Sequence, residues 1–518
     1  MILAGLLWTG CAAPEGPPAP AGCPDRTERA FDASILTEGV ASAEERFLGG
    51  GVVIADLDGD AILDVLIPGP DDVSIRLGRG DGTFSTGTSP PFDLSAAVGA
   101  SAADYDGDGD LDVLVARYGA GDVLLANRGD GTFDDATAIA GIDGAYDSHG
   151  PAWGDYDGDG WLDLVIAGRG DPRLEEGVAL IDTPADPTRL YRNRGDGTFE
   201  DRTADLPDAA RDGYTFVASF VDLDRDGRLD LYFANDYPAW QTGLAVWNRA
   251  EGWIADDGSA GLNAYVAGMG LGLGDANGDG FDDLLLPAWD RVIWLESQGA
   301  DLWAEATAAR GLAPLPPHAG AYVGWGAELA DFDNDTALDA WVAFGHLDTL
   351  ADRTPAGGDA ANPAWQRDLV WSGGPDGFTA VTDAWAVDDP GVGRGLAVAD
   401  LDRDGWLDVV TRDLDGPVRV HLGRCDEAGW LEVRLADDGA NRFGVGAVIR
   451  IETAGGIQQR TVRAGGTGLL SGGPPEVHFG LGEAASVDRV EVTWPDGAIT
   501  AVEGPVAIRR LLTVERQV

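Results

Sequence analysis

The chain has 518 residues, 44% of them hydrophobic, with 76 glycines and 28 prolines, enough for a large core cut by many turns. Its formal net charge is −54, and it contains no lysine, so arginine is its only permanently cationic side chain. Such acidity excludes nucleic acid and anionic membrane surfaces as direct partners except through bridging cations.

Residues 1–27 begin with a short apolar run and continue rich in Pro and Ala. The run is too short to span a bilayer as a helix. It reads as an export signal, with the small residues Thr9 and Gly10 placing a lipoprotein-type cleavage before Cys11. The expectation is an exported bacterial protein of the outer membrane, periplasm or cell surface, with a lipid anchor on Cys11. Cys23 and Cys425 then remain, either as a disulfide or as two free thiols.

From Asp56 onward an acidic nonapeptide with Asp at places 1, 5 and 9 and Asp or Asn at place 3 recurs seven times, at intervals of 48, 51, 67, 53, 56 and 69 residues. That period matches one four-stranded propeller blade. Side-chain oxygens at places 1, 3, 5 and 9, with the main-chain carbonyl of place 7, can surround one hard cation, and calcium is the expected ion. The first copy supplies Asp56, Asp58, Asp60 and Asp64 with Ile62 at place 7; the second, Asp104, Asp106, Asp108 and Asp112 with Asp110. The third has Asp155, Asp157, Asp159 and Asp163 with Trp161, and the fourth Asp222, Asp224, Asp226 and Asp230 with Arg228. In the fifth, Asn277 joins Asp275, Asp279 and Asp283, with Phe281 at place 7. The sixth is Asp331, Asp333, Asp335 and Asp339 with Ala337; the seventh, Asp400, Asp402, Asp404 and Asp408 with Trp406.

Up to seven calcium ions would leave the net charge near −40. A glycine at place 6 allows a sharp turn with positive φ, and Ala61 and Thr336 replace it in the first and sixth copies, which should bind most weakly. An EF-hand starts similarly but needs a Glu at place 12, where the first copy has Ile67, and flanking helices. Here the flanks VVIAD and LDVLIPG read as two strands joined by the loop.

A second element, an aromatic followed by a polar run, begins at Phe31, Phe84, Phe133, Phe199, Trp253, Trp303 and Phe378 and alternates with the acidic loops. If the loop joins strands A and B, the aromatic element is the outer strand D. The chain then opens with a D strand whose A, B and C partners, near GLAVAD, LDVVTRD and VRVHLGR, come last. Pairing the two ends would close the ring and remove exposed sheet edges, and would bring Cys23 and Cys425 near each other.

LYRNRGDGTFEDRT from Leu190 and GRGLAVADLDRDGWLDVV from Gly393 resemble the consensus of FG-GAP/VCBS repeat propellers of the cartilage acidic protein family, related in fold to the head of integrin α chains. WLEVRLADDGANRFGVGAVIRI from Trp430 and HFGLGEAASVDRVEVTWPDG from His478 resemble the ASPIC/UnbV domain that follows such propellers. The resemblance implies an all-β chain: a seven-bladed β-propeller with calcium loops over residues 28–425, then a small β domain over 426–518. Independently, IRIETAGGIQQRTVR and VEVTWPDGAITAVEG each read as a hairpin. Arg442, His478 and Trp494 are candidate site residues there, with structural roles the plainer reading.

Four RGD tripeptides start at Arg79, Arg128, Arg169 and Arg194, and three of them sit in RGDGTF turns between strands C and D, which favours a turn role over receptor binding. Function is expected on the face opposite the acidic loops. Two enlarged B to C loops lie there, Arg169 to Arg189 and Gly345 to Asp368, carrying Arg173, Glu175, Glu176, His346, Asp348, Arg353 and Trp365. His149, Tyr214 and His318, with His346, could ring the central channel. No nucleophile with a base partner accompanies them. The reading is a monomeric, exported calcium-binding propeller that recognises a protein or polysaccharide at a cell surface, as in adhesion. A calcium-dependent polysaccharide lyase or hydrolase, or a purely structural envelope component, is the alternative.

Overall fold

The computed structural model describes residues 31–37, 49–142, 144–170, 174–175, 178–179, 185–237, 241–299, 301–317, 321–346, 365–387, 390–414, 416–423 and 428–517. Cys11, Cys23, Cys425, Arg173, Glu176, His318, Asp348 and Arg353 lie outside them. No helix among the described residues is long and apolar enough to cross a membrane.

Each acidic loop connects two antiparallel strands, as Val53–Ala55 and Asp64–Ile67 show for the first. Those strands are buried on both faces, because a neighbouring sheet covers each side, so they read as continuous apolar runs such as DVLI and DVLVAR. Ser74–Gly78 and Phe84–Thr86 complete the first sheet. Six further four-stranded units follow the same order; their inner strands are Ala97–Ala103, Ser148–Gly154, Thr215–Val221, Gly272–Gly274, Gly324–Ala330 and Gly393–Ala399. The aromatic elements form the outer strands, among them Phe133–Asp135 and Trp303–Glu305.

Closure follows the expected route. Asp32–Thr37 pairs antiparallel with Val418–Leu422, from Asp32 opposite Leu422 to Thr37 opposite Val418. Ile54 and Val65 of the first blade then share a core with Ala397 and Val410 of the last. The seven units make a propeller.

After the ring come two small sheets. Gly429–Ala436 lies between Glu476–Gly482 and Leu511–Glu515, and Val448–Thr453 and Val487–Thr493 form the centre of a four-stranded sheet flanked by Gly456–Thr461 and Ile499–Val506. Both expected hairpins are present. Leu431, Ile449, Phe479, Val490 and Trp494 belong to one core between the sheets.

The propeller axis differs from the expectation that His149, Tyr214, His318 and His346 ring the central channel. A segment of the C-terminal unit, Ala464 to Gly473, runs into the axis. Ala464 and Gly465 pair with Trp153 and Ala152, the Gly468 N–H donates to the Leu271 and Ala327 carbonyls (3.1 and 3.2 Å), and Leu470 accepts from Ala100 (3.2 Å). Gly472 donates to Val52 (3.1 Å) and accepts from Ile54 (2.9 Å). Leu469 and Leu470 are buried in one core with Phe216, Met269 and Trp325. On the far side of the leucines, His149 and Phe216 meet edge to face, as do Phe216 and Trp325, and the Arg394 guanidinium lies 3.9 Å from the Trp325 ring centroid. Among the described residues, side chains of the inserted segment and of the ring thus pack together in one core.

Candidate metal-loop face

Within every loop the carboxylates first organise their own backbone. The place 1 Asp accepts from N–H groups ahead of it: Asp56 from Gly59 and Ala61, Asp155 from Gly158 and Gly160, Asp331 from Thr336, Asp400 from Gly405. The place 5 Asp accepts from the N–H of place 7, as Asp60 does from Ile62, Asp279 from Phe281 and Asp404 from Trp406.

The place 9 Asp is a staple. One oxygen accepts from the N–H of place 2 and the other from the end of strand C, so Asp112 joins Tyr105 (3.2 Å) to Asn127 (2.8 Å) and Asp339 joins Phe332 (2.7 Å) to Gly373 (2.8 Å). Asp64, Asp163, Asp230, Asp283 and Asp408 repeat the pattern.

Place 6 has positive φ in all seven copies, from 86° to 102° at the five glycines, 67° at Ala61 and 89° at Thr336. The loop shape is therefore kept without glycine, at the cost of left-handed strain on a β-branched Thr.

Whether these residues suit a divalent cation is answered by their spacing and burial. Ligand atoms of Asp56, Asp58 and Asp64 all lie within 4.8 Å of one another, and so do those of Asp104, Asp106 and Asp108, of Asp155, Asp157 and Asp163, of Asp222, Asp224 and Asp230, and of Asp331, Asp333 and Asp339. Two like charges about 5 Å apart repel by roughly 3 kcal/mol at an effective dielectric constant near 20. Burial, reinforced by neighbouring carboxylates, pushes Asp104 up to about 7, Asp112 and Asp163 to about 9, and Asp230 and Asp283 to about 8. Asp58 Oδ1 and Asp222 Oδ1 are buried without a hydrogen-bond partner. Clustered, oxygen-only, incompletely satisfied carboxylates fit a hard divalent cation.

In two loops arginines already stand among the acids. Arg192 binds Asp157 and Asp159, the latter at 2.7 Å, and Arg249 binds Asp224 and Asp226, the latter at 3.2 Å, where Arg228 also contacts Asp226. These guanidiniums flank Asn193 and Asn248, which carry a role missed from sequence. Asn127, Asn193 and Asn248 each donate to their own loop and to the preceding blade's loop, as Asn193 does to Leu162 (3.0 Å) and Tyr105 (2.8 Å). The recurring Asn in the C to D turns was the available signal.

The C-terminal unit covers this face. Arg442 Nε donates to the Gly107 carbonyl (2.6 Å) and lies 3.9 Å from Asp104, Arg463 pairs with Asp282 (2.6 Å), and His478 Nε2 meets the Gly405 carbonyl at 3.0 Å. Arg403, in the seventh loop, is gripped by Glu432 and Glu476, both at 2.6 Å. Burial opposes the charge on Glu476, but Arg403 and Arg434 prevail and hold its carboxyl down at about 2. Between cap and loops is a cavity of about 160 Å³ bordered by Glu328, Asp331, Arg460 and Arg463. Trp494 is buried within the cap, its indole N–H on Thr500 (3.0 Å).

The remaining candidates are scattered. In the RGDGTF turns Asp81, Asp130 and Asp196 each accept from the N–H and hydroxyl of the Thr two residues on. Arg169 is buried against Asp236 (3.2 Å). His149 is fully buried, and desolvation depresses its pKa to about 3. Tyr214 packs on Tyr237, and His346 lies edge to face with Trp289, a Trp that is 42% exposed. Trp365 is half-buried, and Glu175 lies in a short hairpin of the blade-three loop.

A ring of blades turned by acidic loops and capped by a β unit on the loop face defines an FG-GAP-type propeller with a C-terminal domain. The FG-GAP-like repeat matches residues 56–115, 104–166 and 178–233, and the ASPIC and UnbV domain matches residues 437–518. The two matches fall on one chain, the repeats first and the C-terminal domain after them. It is similar to cartilage acidic protein 1 of Xenopus tropicalis, 25% identical over 488 residues (87% of this chain and 71% of the relative), and of Mus musculus, 25% over 495 residues (88% and 71%). Similar solved structures include an Agrocybe aegerita lectin that recognises non-reducing terminal N-acetylglucosamine, 16% identical over 71% of this chain and 86% of that one (TM-score 0.41). The BP39L lectin of Burkholderia pseudomallei is 13% identical over 73% and 96% (TM-score 0.40).

Proposed function

We propose that the chain is an exported, calcium-stabilised binding protein that recognises a protein or polysaccharide through the loops opposite its metal-loop face. Asp and Asn side chains at places 1, 3, 5 and 9, with the place 7 carbonyls, would hold the ions, whose chemistry there is charge neutralisation within the fold. The observation that carries the reading is the asymmetry of the ring: its loop face is covered by the chain's own C-terminal unit. The other face presents Trp289, 42% exposed, beside His346 at the start of the enlarged blade-six loop. A flat, exposed aromatic offers contact area at small entropic cost to sugar rings or apolar side chains. Residence at a bacterial surface or in the envelope, with lipid on Cys11, belongs to the same proposal.

The test is binding of the calcium-loaded chain to a glycan array and to surface-protein extracts, alongside Trp289→Ala. Retention of a ligand that the variant loses, with unchanged thermal stability, is expected. Equal retention by both proteins would contradict the assignment of that face.

A further inference from the structure

The inner strands are shaped to receive the Ala464–Gly473 segment. A Cβ on Gly51 would stand 2.1 Å from the Leu470 carbonyl oxygen, one on Gly99 would lie 2.7 Å from Leu470 Cβ, and one on Gly395 would lie 2.8 Å from the Leu469 oxygen. The segment is matched to the ring in turn: a Cβ on Gly466 would meet Ser219 at 2.7 Å, and one on Gly468 would meet the Leu396 oxygen at 2.5 Å. Together with its hydrogen bonds, the segment touches the inner strands of six blades and, in the fifth, Leu271 just ahead of the inner strand.

The unit that carries this segment also grips the acidic loops, through side-chain ion pairs and through four backbone carbonyls. Arg442 reaches Gly107 O, Gln459 Nε2 reaches Gly280 O (3.2 Å), His478 reaches Gly405 O, and the Gly482 N–H donates to Asn334 O (2.8 Å). These acceptors occupy places 4 and 6 of the nonapeptide. They point correctly only while each loop keeps its turn, and the turn holds several carboxylates within a few ångströms of one another.

We propose that cation loading of the acidic loops and insertion of the Ala464–Gly473 segment into the channel are one linked equilibrium, in which the C-terminal unit is an intramolecular partner that docks on loaded loops and plugs the ring. The proposal rests on the reading of the loops as cation sites. One effect opposes it: Arg442 and Arg463 face Asp104 and Asp282, so the cap is drawn electrostatically to an unloaded, more negative face. A four-carboxylate loop holding one divalent ion still carries net negative charge, and salt screens the longer-range part, so that attraction is reduced rather than abolished. Loop shape has no such residue, because unneutralised carboxylates repel one another at closer range than they attract the cap. Linkage requires reciprocity, since whatever loosens the plug must weaken cation binding by the same factor.

The experiment is hydrogen exchange of the full chain with calcium and with chelator, read at peptides covering residues 464–473, with calcium binding followed in parallel by calorimetry. Calcium should slow exchange of those peptides by about ten-fold or more. Calcium binding with exchange unchanged within about two-fold would overturn the linkage and leave the cation sites standing, and no binding at all would overturn both. Leu470→Asp, remote from every loop, should raise the calcium titration midpoint about five-fold or more. Should that variant fail to fold, Gly99→Ala applies the same test through the crowding of Leu470. A folded variant with the wild-type midpoint contradicts the proposal.

Discussion

The two faces of the ring obey different rules. On the loop face one nonapeptide is repeated seven times with one geometry, because each copy must satisfy its own backbone and position a carboxylate staple, and the second, fifth, sixth and seventh also meet the cap. On the opposite face the B to C connections vary in length and chemistry, from the tight Ala288 to Arg291 turn to the long Gly345 to Asp368 loop. Repetition marks what the fold requires, and variation marks where a ligand can be chosen.

The largest difference between the two faces should come from removing a staple. Asp112→Ala strands the buried Tyr105 and Asn127 N–H groups, and should cost about 3–5 kcal/mol in denaturant unfolding. Substitution of the exposed Trp289 should leave stability within about 0.5 kcal/mol.

A second handle is pH, at the seam between cap and ring. Burial pushes Glu328 up to about 8, and it bonds Thr467 of the plug segment. Folding therefore takes up a proton at this site; the stability it contributes is complete below the ordinary value near 4.5 and is lost as pH rises through about 8. Glu328→Gln should be more stable than the parent by about 2 kcal/mol at pH 9 and should flatten the pH profile between those limits. A parallel offset at all pH values would contradict a neutral Glu328.

Smaller effects separate the loops from one another. Thr336→Gly should stabilise by about 1 kcal/mol by relieving a β-branched residue at φ 89°, and raise calcium affinity at the sixth loop. Arg249→Ala removes the guanidinium held by Asp224 and Asp226 and should tighten calcium at the fourth loop by a few-fold, about 0.5–1 kcal/mol, as seen by calorimetry.

Much of this was legible in the sequence because it is local. The acidic period, the aromatic D strands and the paired ends at Asp32 and Leu422 follow from short patterns repeated at blade length. The expectation that the first and sixth loops are weakest used the missing glycines alone; it did not include the arginines on the third and fourth, which arrive from strand C. The cap and plug were hidden for another reason. Gly99 and Gly395 stand out as glycines inside strands, and Gly51 just precedes one, but what they make room for, Leu469 and Leu470, lies up to 419 residues away. Likewise Arg442 gives no sign in its own neighbourhood that it meets Gly107.

The loop face, on the reading proposed above, is built around cations. Thermal unfolding of the chain against free calcium, with magnesium and chelator controls, tests it most directly, since a ligand confined to the native state must raise the midpoint. The expected result is a large, calcium-specific rise that continues with concentration as the loops fill. A midpoint indifferent to calcium and chelator would contradict it.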